Sequence, residues 1–138
     1  MTEQATPMRP APVVTQDSEP FWAAAAGGSL VIQRCAACGR MHHPPRPMCP
    51  SCRSVEHEWV PVAGTGTVYS YALLHHPQHP AFRYPVIAAL VELDEGVRIV
   101  SNLVDVDPAD VAIGLAVEVT FAPTARDGAV PVFRPRSS

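Results

Sequence analysis

The sequence predicts a mainly β protein with a short N-terminal helix, a cysteine ribbon and a C-terminal half built from strands. Three observations predict it. Sixteen prolines in 138 residues argue against an all-helical chain, because each removes a backbone donor and fixes φ. Cys35-Ala36-Ala37-Cys38 and Cys49-Pro50-Ser51-Cys52 form two C-x-x-C pairs separated by ten residues. From Thr67 onward, short apolar or alternating runs are punctuated by Gly, Pro and Asp turns.

The elements follow in chain order. Residues 1–16, rich in Pro and small side chains, predict a disordered tail. Asp17 and Ser18 offer capping oxygens, and Pro20 suits a first helical turn. The helix runs through Phe21, Trp22 and four alanines until Gly27-Gly28 stops it. A helix this short is marginal alone, so Phe21 and Trp22 must dock on this chain or on another. Aromatic anchors of this kind are typical of binding hot spots, which makes them interface candidates. Leu30-Val31-Ile32 predicts a strand entering the cysteine segment, and residues 17–62 form one unit, helix plus ribbon.

Residues 63–138 form the second unit. Gly64-Thr65-Gly66-Thr67 marks a turn or bulge. Strands are expected at 68–73, 86–93, 97–104, 116–121 and 130–133. The second is apolar along its length, which predicts burial on both faces. Asp94-Glu95-Gly96 is a hairpin turn, and Asp107-Pro108-Ala109-Asp110 a single helical turn. Five strands with one helical turn between the third and fourth suit a Greek-key barrel of the OB type.

Each C-x-x-C can place two sulfurs on one ion, and two such turns close a tetrahedron of thiolates. Gly39 supplies the open backbone needed after the first pair. Disulfides are the competing reading, disfavoured in a chain without a recognisable signal peptide. Cys35, Cys38, Cys49 and Cys52 are therefore assigned to a metal, zinc before iron. Four sulfurs leave no open position, so the metal is expected to be structural. Arg34, Arg40, Arg46 and Arg53 can offset the negative cluster; the sharper alternative is that some meet a phosphate.

Charge narrows the remaining classes. The formal net charge is −3, and all ten basic residues are Arg. An acidic chain is a poor match for nucleic acid, which binds clustered basic residues. No apolar run reaches membrane-spanning length, and a cytoplasmic location is expected. His75, His76 and His79 have no Ser, Cys or acidic partner nearby in sequence and read as a solvated loop. Phe82-Arg83 could stack a base or meet a ligand; the simpler reading is barrel edge plus an exposed Arg. No catalytic set can be assembled.

The ordered set of motifs carries a resemblance. Phe21-Trp22, Leu30-Val31-Ile32-Gln33-Arg34-Cys35, Pro44-Pro45-Arg46 before Cys49, Gly64-Thr65-Gly66-Thr67-Val68-Tyr69-Ser70, Pro85-Val86, Leu93-Asp94-Glu95-Gly96 and Ile113-Gly114 follow one another as in the acyl-CoA-associated family that joins a rubredoxin-like zinc ribbon to an OB-fold. The resemblance covers residue 17 to the C-terminus. It implies an accessory, non-catalytic subunit in a hetero-oligomer with a thiolase-like enzyme or a hot-dog-fold enoyl-CoA hydratase. The context implied is acyl-CoA and lipid metabolism, steroid side-chain degradation included. Only the four cysteines carry over as a site. Direct binding of acyl-CoA, through Arg46 or Arg83, is one alternative; a nucleic-acid-binding module is the other, since zinc ribbons and OB-folds both occur there.

Overall fold

A computed structural model describes residues 8–136. The expected tail falls partly outside these residues. From Arg9 on it differs from expectation, because the segment lies along the barrel. Arg9 bridges to Thr124 in parallel, and the Ala125 amide donates to the Arg9 carbonyl at 2.9 Å. The Arg9 guanidinium donates to Asn102 Oδ1 at 3.0 Å and lies 4.9 Å from the Phe82 ring centre. Pro-rich composition signals missing helix; it does not forbid an extended strap whose amides find partners.

Helix α1 spans Glu19–Ala26, with Pro20 in its first turn and Gly27 at its end. Ser18 occupies the cap position, but its hydroxyl pairs with Thr15 and not with the helix amides. Phe21 and Ala25 are buried. A ribbon sheet follows, ordered β2-β1-β3, from β1 (Val31–Cys35), β2 (Met41–His42) and β3 (His57–Pro61). Strands β2 and β3 were not expected from the sequence; both are too short or too polar to show a period.

The second half is a closed five-stranded barrel. Its strands are β4 (Thr65–Leu74), β5 (Val86–Leu93), β6 (Arg98–Leu103), β7 (Ala116–Pro123) and β8 (Ala129–Pro135), in the order β4-β5-β6-β8-β7. Pairing is antiparallel except where Leu103 of β6 meets Phe133 of β8 in parallel. Asp107 caps the short turn Pro108–Asp110 by accepting from the Ala109 amide at 2.9 Å. These are the five strands and the helical turn expected from the sequence.

Two details depart from that expectation. Gly66 is not in a turn but inside β4, paired with both Leu93 and Val117. The irregularity sits further on, between Val68 and Ser70. Strand β5 alternates buried and half-buried residues along its length, so one of its faces is fully covered and the other only in part. The core joins both halves. Phe21, Leu30 and Ile32 pack in one cluster with Val68, Val91, Val117 and Phe133 of the barrel.

Candidate metal centre

The two cysteine turns are built alike. The Cys35 amide donates to the Arg40 carbonyl at 2.8 Å, and the Cys49 amide to Ser54 at 2.8 Å. The Gly39 amide returns to the Cys35 carbonyl, and the Arg53 amide to Cys49, both at 2.9 Å. Gly39 and Arg53 hold the same place in their turns, with φ of 79° and 66°. Glycine takes that conformation freely, whereas arginine does so at a cost.

These turns bring the four sulfurs within 4.8 Å of one another. Cys35 Sγ lies 3.5 Å from Cys52 Sγ, and Cys38 Sγ 3.7 Å from Cys49 Sγ. A tetrahedron with metal–sulfur bonds of about 2.3 Å has edges of about 3.8 Å, so the donor set fits a four-thiolate ion. All four cysteines are free of disulfides. The Cys38 amide beside Cys35 pulls that thiol down to about 6. The Cys52 amide does the same for Cys49, to about 7. At Cys52 the Ser54 amide works downward, but the Cys35 sulfur and burial outweigh it and push the thiol up to about 12. Without an ion, neighbouring thiols thus share protons; a bound cation would remove them outright.

His42 Nε2 stands 3.2 Å from Cys49 Sγ, beside the sulfur cluster and not part of it. Arg40 donates to Ser51 Oγ at 3.1 Å and ties one turn to the other. Arg34 pairs with Glu58, both well exposed. Two of the four expected offsetting arginines therefore have local partners.

Gln33 is the residue that sequence reasoning missed. It is 2 % exposed. Its Nε2 donates to the Arg46 carbonyl and its Oε1 accepts from the Arg46 amide, both at 2.8 Å. That two-way bond holds the segment between the cysteine turns. The available signal was a lone amide in an apolar strand. Gln33→Ala strands one buried donor and one acceptor, each costing about 1–3 kcal/mol. The variant should unfold at lower denaturant and release its metal sooner under competition with a chromogenic chelator.

His43 lies where α1 meets the ribbon. Its ring is 5.1 Å from Phe21, and its Nδ1 is buried without a hydrogen-bond partner. Burial lowers its pKa from the ordinary 6.5 to about 4. Between those values the unfolded chain binds more protons than the folded one, so stability falls as pH drops from 6.5 to 4. The loss should approach roughly 3 kcal/mol. His43→Phe should flatten this part of the stability–pH curve; equal slopes in both proteins would refute it. Taking the difference between the two proteins cancels acid release of metal.

The other sequence candidates scatter. Phe21 is 4 % exposed and belongs to this chain's own core. Trp22 is half-buried and faces the grooves beside α1. Arg46 has an exposed side chain on the ribbon. Phe82 and Arg83 line a different groove of about 570 Å³, with Arg9. The three proposed ligand residues thus do not share a groove. His79 accepts at Nδ1 from the Ala81 amide at 3.0 Å, within its own exposed loop.

Ribbon plus five-stranded barrel defines a class of protein, and comparison with known proteins gives its family. Residues 22–58 match the family described as ChsH2, rubredoxin-like zinc ribbon domain. Residues 59–122 match ChsH2, C-terminal OB-fold domain. The chain is 40% identical over 101 residues to a DUF35 domain-containing scaffold protein of Methanocaldococcus jannaschii, covering 72% of each. It belongs to the DUF35 family. It is 48% identical over 128 residues to a probable enoyl-CoA hydratase alpha subunit of Thermomonospora curvata, covering 93% of this chain but 40% of that protein. The chain thus spans well under half of that relative. A solved chain described as Ltp2-ChsH2(DUF35) aldolase superposes with a TM-score of 0.85 at 47% identity, covering 91% of this chain and 98% of that one.

Proposed function

We propose that this chain is a non-catalytic accessory subunit of an enzyme acting on acyl-CoA thioesters, with a thiolase-like polypeptide as its partner. One observation carries the reading: a 47%-identical chain, matched over nearly its full length, comes from an aldolase described by two named components. The scaffold description of a relative 40% identical supports it. A hydratase partner is the variant suggested by the Thermomonospora relative. The finer context, steroid or lipid side-chain degradation, comes from the sequence resemblance.

In this reading Cys35, Cys38, Cys49 and Cys52 hold one zinc ion. Its role is to lock the two turns together, since all four positions are sulfur and none is open for substrate or water. The chain's own residues then present surfaces: Trp22 beside α1, and the outer face of the barrel. Co-expression with the thiolase-like polypeptide of the aldolase, followed by size-exclusion chromatography, tests the proposal. A stable co-eluting complex with altered enzyme activity is expected. Separate elution with unchanged activity would refute it.

A further inference from the structure

Strand β4 has a free edge. Thr65–Thr67 pair with β7. At Val68 the amide donates to Leu115 and the carbonyl accepts from Gly114, at 3.0 and 2.8 Å. From Ser70 to Leu74 the strand pairs with β5 alone. Among the described residues no backbone hydrogen bond reaches its other side. A strand edge leaves a row of N–H and C=O groups unpaired, and natural proteins usually blunt it with charge, Pro or a covering loop.

This edge carries neither charge nor proline. Ser70–Leu74 of β4, residues 86–90 of β5 and residues 99–103 of β6 contain no charged side chain and no proline. Leu73 and Leu74 lie on opposite faces of the strand and are 39% and 45% exposed. Val100, opposite Leu90 on the outer face, is 74% exposed. The outer-facing residues of β5 beside this edge, Val86, Ala88 and Leu90, are apolar and only half-buried.

We infer that the Ser70–Leu74 edge takes up an extended, uncharged segment of the enzyme partner as an added strand, with Leu74, Leu90 and Val100 as the apolar floor beside it. The inference rests on the accessory-subunit reading and names the surface it uses. Main-chain bonds would supply affinity and alternate side chains specificity, as in strand addition generally. The available length is five residues, roughly 17 Å. A second copy fits less well. Antiparallel self-pairing centred on Ala72 would carry each copy's His75–Pro85 loop onto the Gly114–Leu115 turn already seated at Val68. A single extended segment avoids that collision.

The test uses the full chain with the thiolase-like polypeptide of the aldolase. Hydrogen exchange should show that the alternate amides of residues 70–74 that point away from β5 are exposed in the free chain and protected in the complex. Ala72→Lys, at an exposed site, should weaken the complex about tenfold or more. Val55→Lys, exposed on the ribbon, should stay within about twofold. A complex that forms without protecting residues 70–74, or tolerates Ala72→Lys, overturns this inference and leaves the accessory role standing. No complex with the unmodified chain overturns both. A homodimer that Ala72→Lys dissolves would assign the edge to a second copy and overturn the choice of partner.

Discussion

Removing the metal is expected to unfold the ribbon. Within residues 31–61 the cysteine turns themselves are thinly supported: β2 is two residues long, and three of the five residues of β3 are exposed. The ten residues between the cysteine pairs are held by the Gln33–Arg46 bonds, the two-residue pairing of β2 with β1 and the packing of His43 on Phe21. Structural zinc contributes on the order of 10 kcal/mol to folding in small ribbons and fingers, comparable to the whole stability of a typical domain. Elemental analysis of the purified chain should find about one zinc per chain, and would separate zinc from iron. A strong chelator, or Cys49→Ser, should abolish exchange protection in β1 and β3. It should also loosen the barrel, because Leu30 and Ile32 belong to the shared core. Partner binding should fall with it. A Cys49→Ser chain that keeps its metal and its protection would refute the four-thiolate assignment.

Gly66→Ala is expected to be the most damaging single methyl in the barrel. A Cβ there would lie 2.2 Å from the Glu92 carbonyl oxygen and 3.0 Å from the Leu93 Cα. These are backbone atoms of the paired strand and cannot rotate away. Overpacking costs about 1–3 kcal/mol where side chains can shift; here the ladder itself must open, so a loss above about 3 kcal/mol is expected. Gly28→Ala is the control. Its φ is +82°, but nothing lies within 4 Å of the new Cβ, so it should cost only the left-handed strain of about 1 kcal/mol. Urea unfolding of both variants measures the difference. Equal midpoints would show that the β4–β5 ladder opens around an added methyl at little cost and would refute this prediction.

These two predictions draw on different kinds of information. The metal site was legible in the sequence because a C-x-x-C turn is local: three residues of spacing decide where two sulfurs point, and doubling the turn decides the donor set. The barrel strands were legible for the same reason, since alternation and turn residues act over a few positions. Gly66 was misread as part of a turn because its reason to exist is a neighbour 27 positions away, at Leu93.

The sequence by itself therefore determined the elements, the four cysteines and the family they resemble. The tertiary structure decided the rest. It placed Gln33 against residue 46, tied the segment at Arg9 to the barrel, and put Phe21 in the core while leaving Trp22 half-buried. It also left one edge of β4 unpaired beyond Val68, next to a β5 face that the sequence reads as buried and the structure half-buries. The physical reason is range. Local patterns state what each segment prefers, but which face is covered and which edge stays open depend on which distant segments arrive to pair with it.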